Sequence, residues 1–177
     1  MKKLSLLLVL LVFGVLTCNA QKKKQFFYKG IELHGVKGWT ILPSQDDNIV
    51  KITCYKDELQ MQLTKRGLPQ NFNAERMLER FVERQMEQNL SASRKSPRIK
   101  MTSEVREGYI NNIPAKYVDI EYTKDIAKRI YIFSTENQLF TIICTGIGRA
   151  EKSIENFSKI LSSFVYIPEP NTQSLFF

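Results

Sequence analysis

The chain has 177 residues, with 26 lysines and arginines against 18 aspartates and glutamates, and a net charge of +8 at neutral pH. The excess is mild and is not interleaved with aromatic residues along a face, which argues against a nucleic-acid-binding protein. The chain has a single histidine, His34, so only one residue could act as the base in histidine-dependent hydrolysis.

The first twenty residues predict an export signal. Lys2 and Lys3 form a basic start, residues 4–16 form an apolar run too short to span a bilayer comfortably, and Ala20 closes a small-residue exit. Two processing routes are open: cleavage after Ala20, or lipoprotein processing that makes Cys18 the acylated first residue. We therefore expect an exported, periplasmic or secreted protein, with membrane attachment through Cys18 as the alternative.

The rest of the chain divides into three parts. Residues 21–25 form a basic leader, residues 26–167 form a single domain, and residues 168–177 form a C-terminal tail. The domain is long enough to bury a core without help from disulfides.

Residues 111–145 predict three consecutive antiparallel strands, because apolar and polar side chains alternate along them. The first strand has one wet face, which carries Asp119 and Glu121. The last strand is apolar at nearly every position from Leu139 to Cys144, so we expect it in the middle of the sheet with both faces covered. About seven or eight strands are expected in all.

Two stretches change to a helical period, near residues 73–91 and 150–164. Asn73, or its neighbour Asn71, is a natural N-cap for the first helix. Arginine and glutamate stand three residues apart on its polar face, which predicts the surface pairs Arg76–Glu79, Arg80–Glu83 and Arg84–Glu87. Its apolar stripe, expected in the core, consists of Ala74, Met77, Leu78, Phe81, Val82, Met86 and Leu90.

Residues 26–43 predict a strand, a turn and a second strand that ends at Pro43, followed by a polar loop over residues 44–48. Trp39 should fill the core or cover its edge. Gly146 and Gly148 indicate a tight turn before the second helix. A phosphate-binding loop is less favoured, because a glutamate stands where the third glycine of a dinucleotide fingerprint would be.

Cys54 and Cys144 share strand faces with apolar residues, so both are expected in the core as small hydrophobes; export leaves a disulfide between them open as an alternative. No recognisable nucleophile motif accompanies His34, and only Asp46–Asp47 has the spacing of metal ligands, which favours a turn. The sequence predicts no catalytic residue, no metal and no cofactor.

Two segments are candidates for contact with a partner. Four positive charges between residues 94 and 100 form either a solvated loop or a contact with an acidic partner or lipid headgroups. The apolar C-terminus either folds back as a flap on the core or docks onto a neighbour. The candidate contact residues are Arg94, Lys95, Arg98, Lys100, Phe176 and Phe177.

Three local stretches resemble the PsbP-like fold family, over roughly residues 27–166. Gly38-Trp39 resembles a Gly-Trp near the opening strands, Asn112-Ile113-Pro114-Ala115 resembles a Gly-x-Pro-Ala turn with Asn112 in place of glycine, and Leu161-Ser162-Ser163-Phe164 resembles the closing helix. The resemblance implies an α+β fold in which helices flank an antiparallel sheet as an α/β/α sandwich. It also implies a family used mainly for binding, docking and chaperoning. None of the three stretches carries a catalytic or binding residue.

Together these features predict a non-enzymatic, exported binding or adaptor domain of the bacterial cell envelope, whose partner is another envelope protein. Two alternatives stay open: a lipid-anchored structural protein of the envelope, and a hydrolase that uses scattered carboxylates such as Asp119 and Glu121. Two acids two residues apart on one strand are more typical of a solvated edge, because carboxylate catalysis needs groups that converge across a cleft.

Overall fold

The computed structural model describes residues 25–92 and 96–168 of the chain, and within them the backbone forms a sheet-dominated α+β fold. Its helices are α1 Ala74–Ser91, α2 Ala150–Glu155 and α3 Ser158–Leu161. Its strands are β1 Phe26–Tyr28, β2 Ile31–Leu33, β3 Thr40–Asp46, β4 Ile49–Lys56, β5 Leu59–Gly67, β6 Ile99–Thr102, β7 Arg106–Ile110, β8 Ile113–Tyr122, β9 Ile126–Thr135, β10 Gln138–Ile147 and β11 Val165–Tyr166.

Eight strands form one antiparallel sheet, in the order β3-β4-β5-β10-β9-β8-β6, with β7 also paired to β8. The predicted meander is confirmed, since β8, β9 and β10 follow one another and pair in register, with Ile130 opposite Val118 and Ile143. β10 lies between β5 and β9, the central position that its apolar sequence predicts.

The main sheet buries an apolar cluster on each face. On one face, Leu78 of α1 packs with Val118, Ile120, Ile130 and others from β8 to β10. On the opposite face, α2, α3 and the β1-β2-β11 sheet contribute to a larger cluster. Its centre is aromatic, with the rings of Phe133 and Phe140 stacked at a centroid distance of 5.0 Å.

Side chains from outside α1 cap both of its ends. The Asn73 carboxamide oxygen accepts a hydrogen bond from the backbone N–H of Arg76 at 2.9 Å, so Asn73 and not Asn71 is the N-cap. The helix has no basic residue in its last turn. Arg98 instead donates to the backbone carbonyls of Asn89 and Ala92, which satisfies carbonyls that have no partner within the helix.

Three local predictions need correction. The single second helix is two short helices, α2 and α3, although the predicted apolar residues from Phe157 to Phe164 do pack into the core. Strand β3 continues through Pro43 to Asp46, which is possible because β3 is an edge strand and proline has no N–H to donate. Met86 and Leu90 lie outside the core, with exposed fractions of 45% and 82%.

The first strand predicted within residues 26–43 is a short hairpin, in which β1 pairs with β2. The pairing of β2 with β11 was not predicted, because it joins segments from opposite ends of the chain. Val165 of β11 lies opposite Glu32 of β2. Trp39 packs against Phe157 at a ring distance of 5.8 Å, which confirms its predicted place at the core.

Two turns have the backbone conformation that their residue types favour. Asn111 and Asn112 both have positive φ, 44° and 67°, in the two-residue loop between β7 and β8, the geometry that hairpins of this length favour. Gly148 has φ of 90°, which confirms a turn that requires positive φ.

Cys54 and Cys144 are both buried free thiols. Met61 lies opposite Cys54 on one side and Cys144 on the other, so strand β5 separates the two cysteines. Two strand spacings amount to roughly 9 to 10 Å, beyond the span of about 7 Å that a disulfide can bridge. The geometry is therefore against the disulfide that the sequence left open. Burial raises the pKa of Cys54 to about 12 and also raises that of Cys144.

The N-cap predicts a difference between two neighbouring asparagines. Asn73→Ala should lower the free energy of unfolding by about 1 kcal/mol, because the N–H of Arg76 loses its acceptor. Asn71→Ala is the matched control and should change it by less than about 0.5 kcal/mol, since Asn71 is exposed. Urea unfolding followed by circular dichroism measures both; equal losses would contradict the assignment.

The buried thiols predict a difference between the folded and unfolded protein. Only a thiolate reacts readily with a disulfide reagent, and burial disfavours the thiolate of both cysteines. In a chain that starts at Gln21, the reagent should titrate no thiol before unfolding and two thiols in guanidinium. Rapid reaction of either thiol in the folded protein would contradict the burial.

Candidate functional site

A row of arginines lines one flank of α1. Arg76, Arg80 and Arg84 are four residues apart, which places them above one another about 6 Å apart along the helix. Arg66, near the end of β5, faces them across a groove of about 350 Å³. We call this groove, with its four guanidinium groups, the arginine groove.

Apolar side chains also line the arginine groove. They are Pro69, Phe72, Met77 and Phe81, and the last three are half-buried. Arg66 contacts one of them, with its Nη2 atom 3.9 Å from the sulfur of Met77. The groove therefore offers both positive charge and an apolar contact surface.

No carboxylate is among the residues that line the groove. The surface pairs predicted within α1 are wrong: among the described residues, no ion pair joins an arginine of α1 to a glutamate of the same helix, and Glu75 pairs with Lys116 of β8 instead. Instead, the arginines of α1 line one groove, and Glu75, Glu79 and Glu83 line another, so the two signs lie along different flanks of the helix.

The other flank of α1 is acidic. Glu75, Glu79 and Glu83 line a second, shallow groove together with Glu104. The ammonium of Lys116 lies 3.1 Å from Glu75 and 3.7 Å from Glu107, so part of this negative charge is paired. The helix thus separates an acidic flank from a basic flank.

A buried ion pair joins neighbouring strands on the opposite face of the sheet. Arg129 of β9 donates from Nε to Oδ1 of Asp119 at 2.7 Å and from Nη2 to Oδ2 at 2.8 Å. Both side chains are nearly buried, with exposed fractions of 12% and 7%. Burial by itself lowers the pKa of Arg129, but its hydrogen bonds and the charge of Asp119 outweigh that effect and keep the pKa raised. The prediction that Asp119 lies on a solvent-exposed face of β8 is wrong, because its side chain is nearly buried.

Two tyrosines enclose this ion pair. The guanidinium of Arg129 lies 4.4 Å from the ring centroid of Tyr117, and burial raises the pKa of Tyr131 beside it. Arg129 and Tyr131 line an open cleft of about 330 Å³, whereas Asp119 does not. The carboxylate is nearly buried and held by two charge-assisted hydrogen bonds, which favours a structural pair.

The groups of the hydrolase alternative do not converge. Glu121 accepts a hydrogen bond from the backbone N–H of Ala150 at 3.2 Å, while His34 lies 2.9 Å from Glu32. Among the described residues, no hydrogen bond or ion pair links Asp119, Glu121 and His34. The same residues hold no group of three His, Cys, Asp or Glu side chains that could bind a metal.

Comparison with known proteins identifies the fold. No family model and no curated protein matches the sequence. The solution structure of cyanobacterial PsbP from Synechocystis sp. PCC 6803 matches with a TM-score of 0.52 and 12% identity, over 81% of this chain and 92% of its own. A crystal structure of a Bacteroides thetaiotaomicron VPI-5482 protein matches with a TM-score of 0.50 and 12% identity, over 84% of this chain and 50% of its own. The fold is PsbP-like.

This likeness concerns the fold of the chain alone, because the identities are low. The chain spans about half the length of the Bacteroides protein. Within the described part of this PsbP-like domain, no helix is long and apolar enough to cross a membrane.

The residues predicted to contact a partner lie in different environments in the PsbP-like domain. Arg98 is half-buried and caps α1, so its guanidinium has a role within the fold. Lys100 is exposed on β6. The others lie outside the described residues, as does the lipidation candidate: Arg94, Lys95, Phe176, Phe177 and Cys18.

Sequence reasoning missed the arginine groove. The signal was present in the four-residue spacing of Arg76, Arg80 and Arg84. The three-residue spacing from each arginine to a glutamate instead predicts ion pairs, and Arg66 lies too far along the chain to be associated with the row without knowledge of the fold.

The buried ion pair predicts a large penalty when one partner is removed. Asp119→Ala should lower the free energy of unfolding by about 3 to 5 kcal/mol, because Arg129 then stays buried without its counter-ion. The double variant Asp119→Leu with Arg129→Met should recover much of that loss. Glu75→Gln, which removes an exposed partner of Lys116, is the control and should have little effect.

Urea unfolding measures these variants. A small loss for Asp119→Ala, comparable to that of Glu75→Gln, would contradict a tightly coupled buried pair.

Proposed function

We propose that the chain is a non-enzymatic, exported binding or adaptor domain of the bacterial cell envelope, which holds an acidic segment of another envelope protein in the arginine groove. One observation carries the proposal: four arginines and four apolar side chains line the same groove, and no carboxylate lines it. Export is supported by the basic start, apolar run and small-residue exit of residues 1–20. Acylation at Cys18 is the alternative that would keep the domain at a membrane.

The groups in the groove suit carboxylates. A guanidinium forms two parallel hydrogen bonds with a carboxylate, and arginine is favoured at interfaces for this reason. Like charges four residues apart on a helix destabilise it by about 0.2 to 0.5 kcal/mol per pair. The arginine row therefore carries a small penalty in the free protein, which an acidic ligand would relieve.

The spacing also fits an extended segment. Arginines four residues apart on a helix repeat about every 6 Å, and alternate side chains of a strand repeat about every 6.6 to 6.8 Å. Acidic residues at every second position can therefore meet successive arginines, while apolar side chains of the same segment can contact Phe72, Met77 and Phe81.

The acidic flank of α1 favours a short protein segment, and not a long polyanion, as the ligand of the arginine groove. A nucleic acid would extend past a row of about 12 Å and approach Glu75, Glu79 and Glu83 on the same helix. Repulsion there disfavours a long anionic chain, whereas a short acidic peptide can stay within the groove.

The proposal predicts that reversing one charge in the row weakens binding without loss of stability. The probe is a labelled peptide of alternating glutamate and leucine, about six residues long to match the row, measured by fluorescence anisotropy. Arg80→Glu should weaken its binding at least about tenfold. The same change should leave the free energy of unfolding unchanged or raise it by a few tenths of a kcal/mol, because the new carboxylate would stand four residues from both Arg76 and Arg84.

Lys37→Glu is the matched control, since it makes the same charge change on an exposed loop beside the other face of the sheet. It should leave peptide binding intact, and the glutamine version of the peptide should not bind. Equal binding of both peptides, or full binding by Arg80→Glu, would contradict the proposal. Tighter binding of a duplex oligonucleotide than of the acidic peptide would move the function to nucleic acid.

A further inference from the structure

The C-terminal half of α1 covers a pocket instead of a packed core. Gln85 and Asn89 stand seven and eleven residues after the buried Leu78, which puts their amides on the inward side of the helix. The side chains beneath them leave an open pocket of about 350 Å³, lined mainly by apolar surface. That volume is within the range of small-molecule sites.

Lys128 of β9 lies in this pocket without a counter-ion. It is half-buried, and its ammonium lies 5.1 Å from the ring centroid of Tyr122. Within residues 25–92 and 96–168, this ammonium has no hydrogen bond or ion pair, and no carboxylate lines the pocket. Burial lowers the pKa of Lys128, as expected for a cation that has lost part of its hydration without gaining a partner.

Two further donors border the same space. Gln88 accepts a hydrogen bond from Gln85 through its carboxamide oxygen, which leaves its amino group unused among the described residues. The hydroxyl of Thr145 likewise has no partner there. Tyr122 and Ile126 supply apolar walls, and the Tyr122 hydroxyl is fixed by donation to Gln85 at 3.1 Å.

We propose that this pocket binds a small amphipathic carboxylate, with its carboxylate against Lys128 and its apolar body between Tyr122 and Ile126. One ammonium matches one negative charge, whereas a doubly charged phosphate would leave a charge buried without a partner. The amino group of Gln88 and the hydroxyl of Thr145 supply hydrogen bonds to the second oxygen. This site does not depend on the arginine groove.

The experiment compares three ligands of the same length on the full chain. Octanoate should bind saturably in calorimetry and raise the melting temperature in a concentration-dependent way. Octanol and octylamine should bind at least about tenfold more weakly, because one lacks the negative charge and the other repels Lys128. Amide chemical-shift changes caused by octanoate should centre on Tyr122, Ile126 and Thr145.

Lys128→Met keeps an unbranched apolar stem and removes the charge. It should weaken octanoate binding at least about tenfold while leaving the melting temperature equal or higher, since an apolar group replaces a partly dehydrated cation. Lys152→Met, on the exposed side of α2, is the matched control and should bind octanoate as the original chain does.

Three outcomes would each overturn the proposal: octanoate fails to saturate the original chain, octanol binds as tightly as octanoate, or Lys128→Met retains full binding. Should Lys128→Met fail to fold, chemical-shift changes in the original chain that centre away from β8, β9 and β10 would overturn it.

Discussion

The fold depends on the need to cover both faces of the strands from β8 to β10. Phe140 and Ile142 of β10 are buried on one face, and Leu139 is buried on the other, so neither face of this strand can meet water without a large loss of apolar burial. The long helix α1 covers one face. The two short helices and the small β1-β2-β11 sheet contribute to the core on the other. This requirement fixes which side of α1 faces inward and therefore which of its side chains remain for binding.

Because α1 covers the sheet with its apolar side, its charged residues form two flanks. These flanks contribute unequally to the stability of the protein. On the acidic flank Lys116 offsets part of the charge of Glu75, while on the basic flank the three helix arginines repel one another and line the groove with Arg66. A sequence selected for stability alone would have mixed the two signs along each flank. Natural proteins tolerate such penalties at functional sites, and this tolerance is the physical argument for the binding function that we propose for the basic flank.

Much of the fold follows from local patterns. The period of Leu78 and its neighbours identifies α1, Asn73 marks its start, and the continuous apolar run of β10 identifies the central strand. The small sheet could not be found in this way, because Val165 pairs with Glu32 across most of the chain. The burial of Asp119 could not be predicted for a related reason: alternation shows which face of β8 a residue occupies, but only the register of β8 with β9 places Arg129 opposite Asp119 as its buried partner.

The candidate sites were harder to predict, because each combines residues from distant segments with one end or flank of α1. The sequence predicts a surface contact for the basic residues after the helix, yet α1 ends without a basic residue in its last turn. Its free carbonyls and the negative end of its dipole need a cation from elsewhere, and the guanidinium of Arg98 supplies it. Asn73 caps the other end, so side-chain hydrogen bonds satisfy backbone groups at both ends of α1. Side chains on a helix keep a regular spacing, which is what the arginine row and the inward amides above Lys128 both require.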